Sequence, residues 1–172
     1  MGVLRRVAKV VGVVGLVAAG WMTFILIAMR TKAPRLLGVV RHFNREFTNK
    51  LQRRSAGGTN SHTALIRHRG RTSGRVYETP VVPFAHGDEL FVALPYGPAT
   101  DWLRNALAAG GAELLVAGEV VAVDRPEVIP VASVRDVFPP NEQRTHRIFG
   151  VEECARFRRR PPHGPIGHAN AG

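Results

Sequence analysis

At 172 residues the chain suits one domain of ordinary size plus an additional segment. Its 24 Lys and Arg against 13 Asp and Glu leave a formal charge of +11, which points to an anionic partner, and 45% hydrophobic content excludes wholesale disorder. The single cysteine, Cys154, excludes an intrachain disulfide and any multi-cysteine metal site, and reads as a small hydrophobe on a helix.

Residues 10–29 carry no charged side chain, and as a helix they would rise roughly 30 Å, the depth of a bilayer core. Arg5, Arg6 and Lys9 precede this run, and Arg30, Lys32 and Arg35 follow it. A secretory signal peptide is the competing reading. The run exceeds the ~7–15 apolar residues usual there, and no A-x-A site follows, so residues 1–33 are taken as an uncleaved membrane anchor. Residues 34–54 place Leu36, Leu37, Val40, Phe43, Phe47 and Leu51 at steps of three and four among arginines. This basic amphipathic helix either lies on an anionic leaflet or packs on the domain. Residues 55–60 form a linker, so the second segment is 34–60.

Residues 61–160 read as the folded domain. Strands are expected at 63–66 and 76–82, with Pro80 and Pro83 confining the second to an edge or breaking it. A turn at 85–88 leads to a strand at 89–94. Thr100 is a candidate N-cap, Asp101 favours the start of the helix, and Gly110-Gly111 ends it. Trp102, Leu103, Ala106 and Leu107 form its apolar face, while Arg104 and Asn105 are free to face a cleft. Residues 112–117 and 119–123 make a hairpin around Gly118. This order predicts an α+β fold, mainly β, as a small antiparallel barrel with short helices. Residues 126–160 read as two helical pieces split at Pro139-Pro140, with Asn141 as a cap and Arg158, Arg159 and Arg160 at the C-terminus. Residues 161–172 read as a disordered tail.

The turn at 67–75 is the stretch richest in chemistry. Gly70 and Gly74 allow positive φ, so successive N–H groups can line a concavity suited to an anion. Arg67, Arg69, Arg71 and Arg75 bring charge, and Thr72 and Ser73 bring hydroxyls. A phosphate is the natural guest, and a solvated basic hairpin tip is the bland alternative. There is no H-E-x-x-H, H-x-x-E-H or G-x-S-x-G, and no paired-carboxylate signature of acid–base catalysis. His62, His68, His86 and His146 read as surface or turn residues, so no metal site is expected. An enzyme with this inventory takes its chemistry from a cofactor.

The runs Gly70-Arg71-Thr72-Ser73-Gly74-Arg75, Thr79-Pro80, Leu94-Pro95-Tyr96-Gly97 and Thr100-Asp101-Trp102-Leu103-Arg104-Asn105-Ala106, ending Ala108-Ala109-Gly110-Gly111, resemble the deazaflavin-dependent nitroreductase family. These are actinobacterial split β-barrel proteins that bind coenzyme F420. The resemblance covers about residues 63–160 and implies a cofactor phosphate at Arg71, Thr72, Ser73, Gly74 and Arg75. It also implies a ring along Thr79, Pro80, Val81, Ala93, Leu94, Pro95 and Tyr96, with Asp101, Trp102, Arg104 and Asn105 closing one side. Tyr77 and Tyr96 stand where some relatives carry a basic residue and a lysine. Tyr96 is the candidate for orienting or protonating the acceptor, and Trp102 for packing.

The function implied is hydride transfer from reduced coenzyme F420 to a quinone or nitroaromatic acceptor, by a domain held at the cytoplasmic face of the membrane. The same barrel using FMN is one alternative. A non-catalytic, membrane-tethered anion-binding module is another. Nucleic acid is not an expected partner, because the basic residues lack interleaved aromatics.

Overall fold

The computed structural model describes residues 2–43 and 63–160. It begins with the long helix α1 (Gly2–Thr31), and Lys32, at φ 52°, turns the chain into α2 (Pro34–Phe43). The expected extension of this second helix to residue 54, the linker 55–60 and the tail 161–172 lie outside the described residues.

Seven antiparallel strands then form one sheet: β1 (Ala64–Arg69), β2 (Val76–Val81), β3 (Pro83–His86), β4 (Glu89–Ala93), β5 (Gly111–Val116), β6 (Glu119–Pro130) and β7 (Glu153–Arg159). Helix α3 (Asp101–Ala109) joins β4 to β5. A 3₁₀ segment (Val131–Val137) and α4 (Pro140–Phe149) join β6 to β7.

The strand order is β2-β1-β5-β6-β7-β4-β3, so β2 and β3 are opposite edges although only Val82 separates them in sequence. In a flat sheet these edges would lie about 29 Å apart, whereas two residue steps reach ~7 Å. The sheet must therefore curl until its edges approach each other at Val82 without pairing, giving a half-barrel. Pro80 and Pro83 sit on the two edges, where a missing N–H costs least, as the sequence predicts.

Three apolar clusters hold this together. Ile66, Leu90, Val92, Leu103, Leu114 and Phe157 fill the curl. Phe91, Val131, Phe138 and Cys154 sit between the outer face of the sheet, the 3₁₀ segment and α4. Ala28, Met29, Leu37 and Val40 join α1 to α2, with Tyr96 and Phe149 packed against them.

Several sequence expectations are corrected. Within 126–160 two helical pieces do meet at Pro139-Pro140, but they span only Val131–Val137 and Pro140–Phe149: Pro126–Pro130 continue β6, and 153–159 are β7, in the interior of the sheet. Pro126 is tolerated because the β6–β7 register shifts between Asp124 and Glu127, beside Arg125 at φ 50°. Arg158 and Arg159 therefore belong to a strand, and Asn141 lies inside α4, whose N-cap is Pro139. The strand β3 takes in Ala85 and His86, leaving Gly87 and Asp88 as the turn. On α3, Leu107 is exposed and Asn105 is buried in its place. Thr100 occupies the N-cap, but its hydroxyl makes no cap bond.

Cys154 is on β7 rather than a helix, fully buried, and its thiol is pushed up to about 11 by burial. Native protein at pH 8 should accordingly resist alkylation and react once unfolded. Mass spectrometry with iodoacetamide reads this, and rapid native labelling would contradict the packing.

Candidate functional site

The turn between β1 and β2 is folded back on itself. Gly70 N–H donates to Arg75 O at 2.7 Å, and Gly74 N–H donates to Gly70 O at 2.8 Å. Gly74 has φ +65°, as a glycine here should. Gly70 is needed for a different reason. A Cβ there would lie 2.5 Å from Ser73 Oγ and 2.8 Å from Tyr77 Cε2, so the side chains of Ser73 and Tyr77 close over it. Those two hydroxyls are 3.1 Å apart, and Ser73 Oγ accepts from Arg75 N–H at 3.4 Å.

The four arginines do not converge. Arg67 points away to Glu78 and Glu113, whose hydrogen bond and charge raise its pKa. Arg69 donates to Gly74 O, and the Arg75 side chain is exposed. Arg71 alone turns onto α3. Its Nη1 donates to Asn105 Oδ1 at 2.9 Å, its guanidinium pairs with Asp101 at 3.2 Å, and its backbone N–H reaches Asn105 Oδ1 at 3.2 Å. Beneath lies His68, which the sequence placed on the surface and which is only 6% exposed. Its Nδ1 is 3.0 Å from Asn105 Nδ2, its Nε2 is 3.3 Å from Thr79 Oγ1, and Tyr77 stacks on its ring.

A cavity of about 380 Å³ opens where the chain crosses from one sheet edge to the other. Pro80, Val81, Ala93, Leu94, Pro95, Tyr96 and Trp102, all singled out from the sequence, line it. The turn network holds Arg71, Ser73, Gly74, Arg75, Tyr77, Thr79, Asp101 and Asn105. Thr72 and Arg104 are exposed and join neither group.

Sequence reasoning missed Met29 of α1 and Glu142 and Phe149 of α4, and it read His146 as a surface or turn residue, whereas that side chain is buried on α4; all four line the cavity. No local motif marks them, since tertiary packing alone brings α1 and α4 to the seam. Arg30 Nη1 donates to Ile148 O at 2.9 Å and fixes the end of α1 against α4. Among the described residues, Thr100 Oγ1 and His146 Nδ1 are buried polar atoms without a hydrogen-bond partner, and both residues line this cavity. A wider hollow of about 500 Å³ between the 3₁₀ segment and α4 shares His146 with this cavity and holds none of the candidate site residues read from the sequence. Its Arg135 and Gln143 are already bonded to each other.

Burial lowers the pKa of His68 and of His146, against opposing pulls from Asp101 and Glu142 respectively. As pH falls below the ordinary value of 6.5, the unfolded chain therefore takes up protons that the folded chain does not. Stability should decline from neutral pH down to the lowered folded values, then level with respect to these groups. Melting temperatures from pH 7.5 to 5 read this, and His146→Leu should shallow the slope. An unchanged slope would show that His146 titrates alike in both states.

Of the residues described, α1 is the one helix long and apolar enough to span a membrane. Within its candidate span, Arg6–Thr31, the mean hydropathy of the most apolar stretch reaches 2.4. Its apolar side chains, such as Val10, Val14 and Leu16, are exposed rather than packed in a core.

No protein-family model matches the chain, and no curated protein matches it. Among solved structures, a protein of unknown function from Agrobacterium tumefaciens is similar at 17% identity with a TM-score of 0.43. That similarity covers 62% of this chain and 52% of the other, so the chain spans about half the length of that protein.

Proposed function

We propose that this chain is a membrane-anchored, coenzyme F420-dependent oxidoreductase on a split β-barrel, passing a hydride to a lipid-soluble acceptor of the quinone or nitroaromatic type. One observation carries the reading: an anion-suited turn and an apolar cavity share two elements. On β2, Thr79 belongs to the turn network, while Pro80 and Val81 line the cavity. On α3, Asp101 and Asn105 hold Arg71, while Trp102 forms cavity wall. A cofactor with a phosphate at one end and a flat ring at the other suits that pairing. The cavity's size falls within the roughly 300–1,000 Å³ range of small-molecule sites, and Thr100 Oγ1 offers an uncommitted polar contact inside it.

When bound, the cofactor supplies the hydride, and the chain's residues bind and orient. Arg71 sets a fixed positive charge at the turn, with the Ser73 hydroxyl beside it. Pro80, Val81 and Trp102 give the ring a dry, apolar seat. Tyr96, in the wall and packed against the α1 cluster, is placed to orient or protonate the acceptor. The charge of +11 suits the oligoglutamate tail of coenzyme F420.

An anchor that is retained fits better than a cleaved signal. Ala28 and Met29 are buried, and removing them would strip a wall from the cavity. Because coenzyme F420 is cytosolic in the organisms to which the resemblance points, the domain is placed at the cytoplasmic face. There the acceptor can reach the seam directly from the bilayer.

Arg71→Ala combined with Ser73→Ala should weaken coenzyme F420 binding by roughly 2–4 kcal/mol, the loss of one charge-assisted and one neutral hydrogen bond. Fluorescence titration of full-length protein in liposomes, with FMN run in parallel, reads it. Unchanged affinity removes the turn from the site. Preference for FMN replaces the cofactor, and binding of neither leaves a tethered anion-binding module. Oxidation of the reduced cofactor by a quinone in the same liposomes tests the acceptor.

A further inference from the structure

His68 sits beneath the anion turn with every hydrogen-bonding position committed. Asn105 Oδ1 accepts from both Arg71 N–H and Arg71 Nη1, at 3.2 and 2.9 Å. That double acceptance fixes which way the amide faces, so the group toward His68 is Nδ2, which can only donate. The facing His68 Nδ1, at 3.0 Å, must then accept and carry no proton. The remaining proton lies on Nε2 and points to Thr79 Oγ1 at 3.3 Å. His68 and Asn105 are 6% and 5% exposed, so water does not substitute easily for either partner.

We infer that His68 is a positioning residue for anion binding: as the neutral Nε2–H tautomer it orients the Asn105 amide, and that amide holds Arg71 over the turn. The inference rests on the turn being the seat of the cofactor's phosphate. It also explains why an imidazole is useful at a buried position that a hydrophobe would fill more cheaply. If Nδ1 gained a proton, two donors would face each other and the amide would rotate. Asn105 Nδ2 would then meet the Arg71 N–H, and the hold on Arg71 would be lost. Burial opposes that protonation and Asp101 on α3 favours it; the Arg71 guanidinium lies on the far side of the Asn105 amide, and Tyr77 on β2 stacks at 5.9 Å. Arg67 and Glu113 pair with each other at the next position along β1. Anion affinity should therefore fall as His68 protonates on the acid side of neutrality.

The test uses the full chain in detergent micelles. Asparagine places its amide oxygen close to where Nδ1 stood, whereas glutamine reaches toward Thr79 and leaves Asn105 Nδ2 without an acceptor. The ¹⁵N spectrum of the ligand-free protein should show a pyridine-type Nδ1 and a pyrrole-type Nε2 for His68. The Arg71 backbone amide resonance should stay near its place in His68→Asn and move in His68→Gln. Affinity for coenzyme F420 should be nearly kept in His68→Asn and fall about tenfold or more in His68→Gln, although each variant gives up one hydrogen bond and the two should melt at similar temperatures. A protonated Nδ1, an unmoved Arg71 amide in His68→Gln, or equal loss of affinity in both variants would overturn the inference. If wild type binds no coenzyme F420, the functional reading fails by itself, and the tautomer and the Arg71 amide still decide the role of His68.

Discussion

Replacing Trp102 with alanine should lower the unfolding free energy by roughly 3–5 kcal/mol, the range for deleting a large aromatic from a core. The indole is 9% exposed within the cluster that fills the curl, and it stacks with Phe157 at 6.4 Å between ring centroids. It is also part of the cavity wall, so the space it vacates merges with an existing opening instead of collapsing. The same substitution should therefore weaken the seating of a cofactor ring. Denaturant titration and cofactor binding measured together separate the two effects. A variant of normal stability that binds no cofactor would mark Trp102 as a ligand contact and little else.

Asn105→Ala should cost nearly as much, about 3–4 kcal/mol, although it removes only a small polar side chain. The loss leaves His68 Nδ1 buried without a donor and takes from Arg71 the acceptor shared by its backbone and its guanidinium. Asp101, exposed at its carboxylate, retains a screened contact with Arg71 that compensates little. Calorimetry in micelles measures the loss. A change below about 1 kcal/mol would mean that water replaces the amide and that the network is less closed than its burial implies.

Much of the sheet was readable along the chain because the signals are local. Pro80 and Pro83 announce edges, Gly110 at φ 68° stops α3, and Gly118 turns the β5–β6 hairpin. The strand β7 was not readable, and the reason is physical. Ala155 and Phe157 face the interior of the curl, while Cys154 packs against the 3₁₀ segment and α4, so both faces are buried. A strand covered on both sides loses the alternation that distinguishes it, and the flanking arginines make it resemble the end of a helix. Pro126 misled in the same region because a bulge excuses it from the ladder.

The sequence by itself determined that α1 is apolar over a bilayer's depth, that the β1–β2 turn needs glycine, and that α3 presents a polar Asp101 beside an apolar Trp102. Composition and short-range spacing decide such properties. Only the tertiary structure decided that Met29, Pro80, Leu94, Trp102 and His146 share one cavity, and that Arg71 alone of the four arginines meets α3. His68 is 37 positions from Asn105, and its burial depends on that partner satisfying Nδ1. A polar side chain's place inside or outside a fold is set by whether a distant group can replace the hydrogen bonds of water, and no local pattern encodes that.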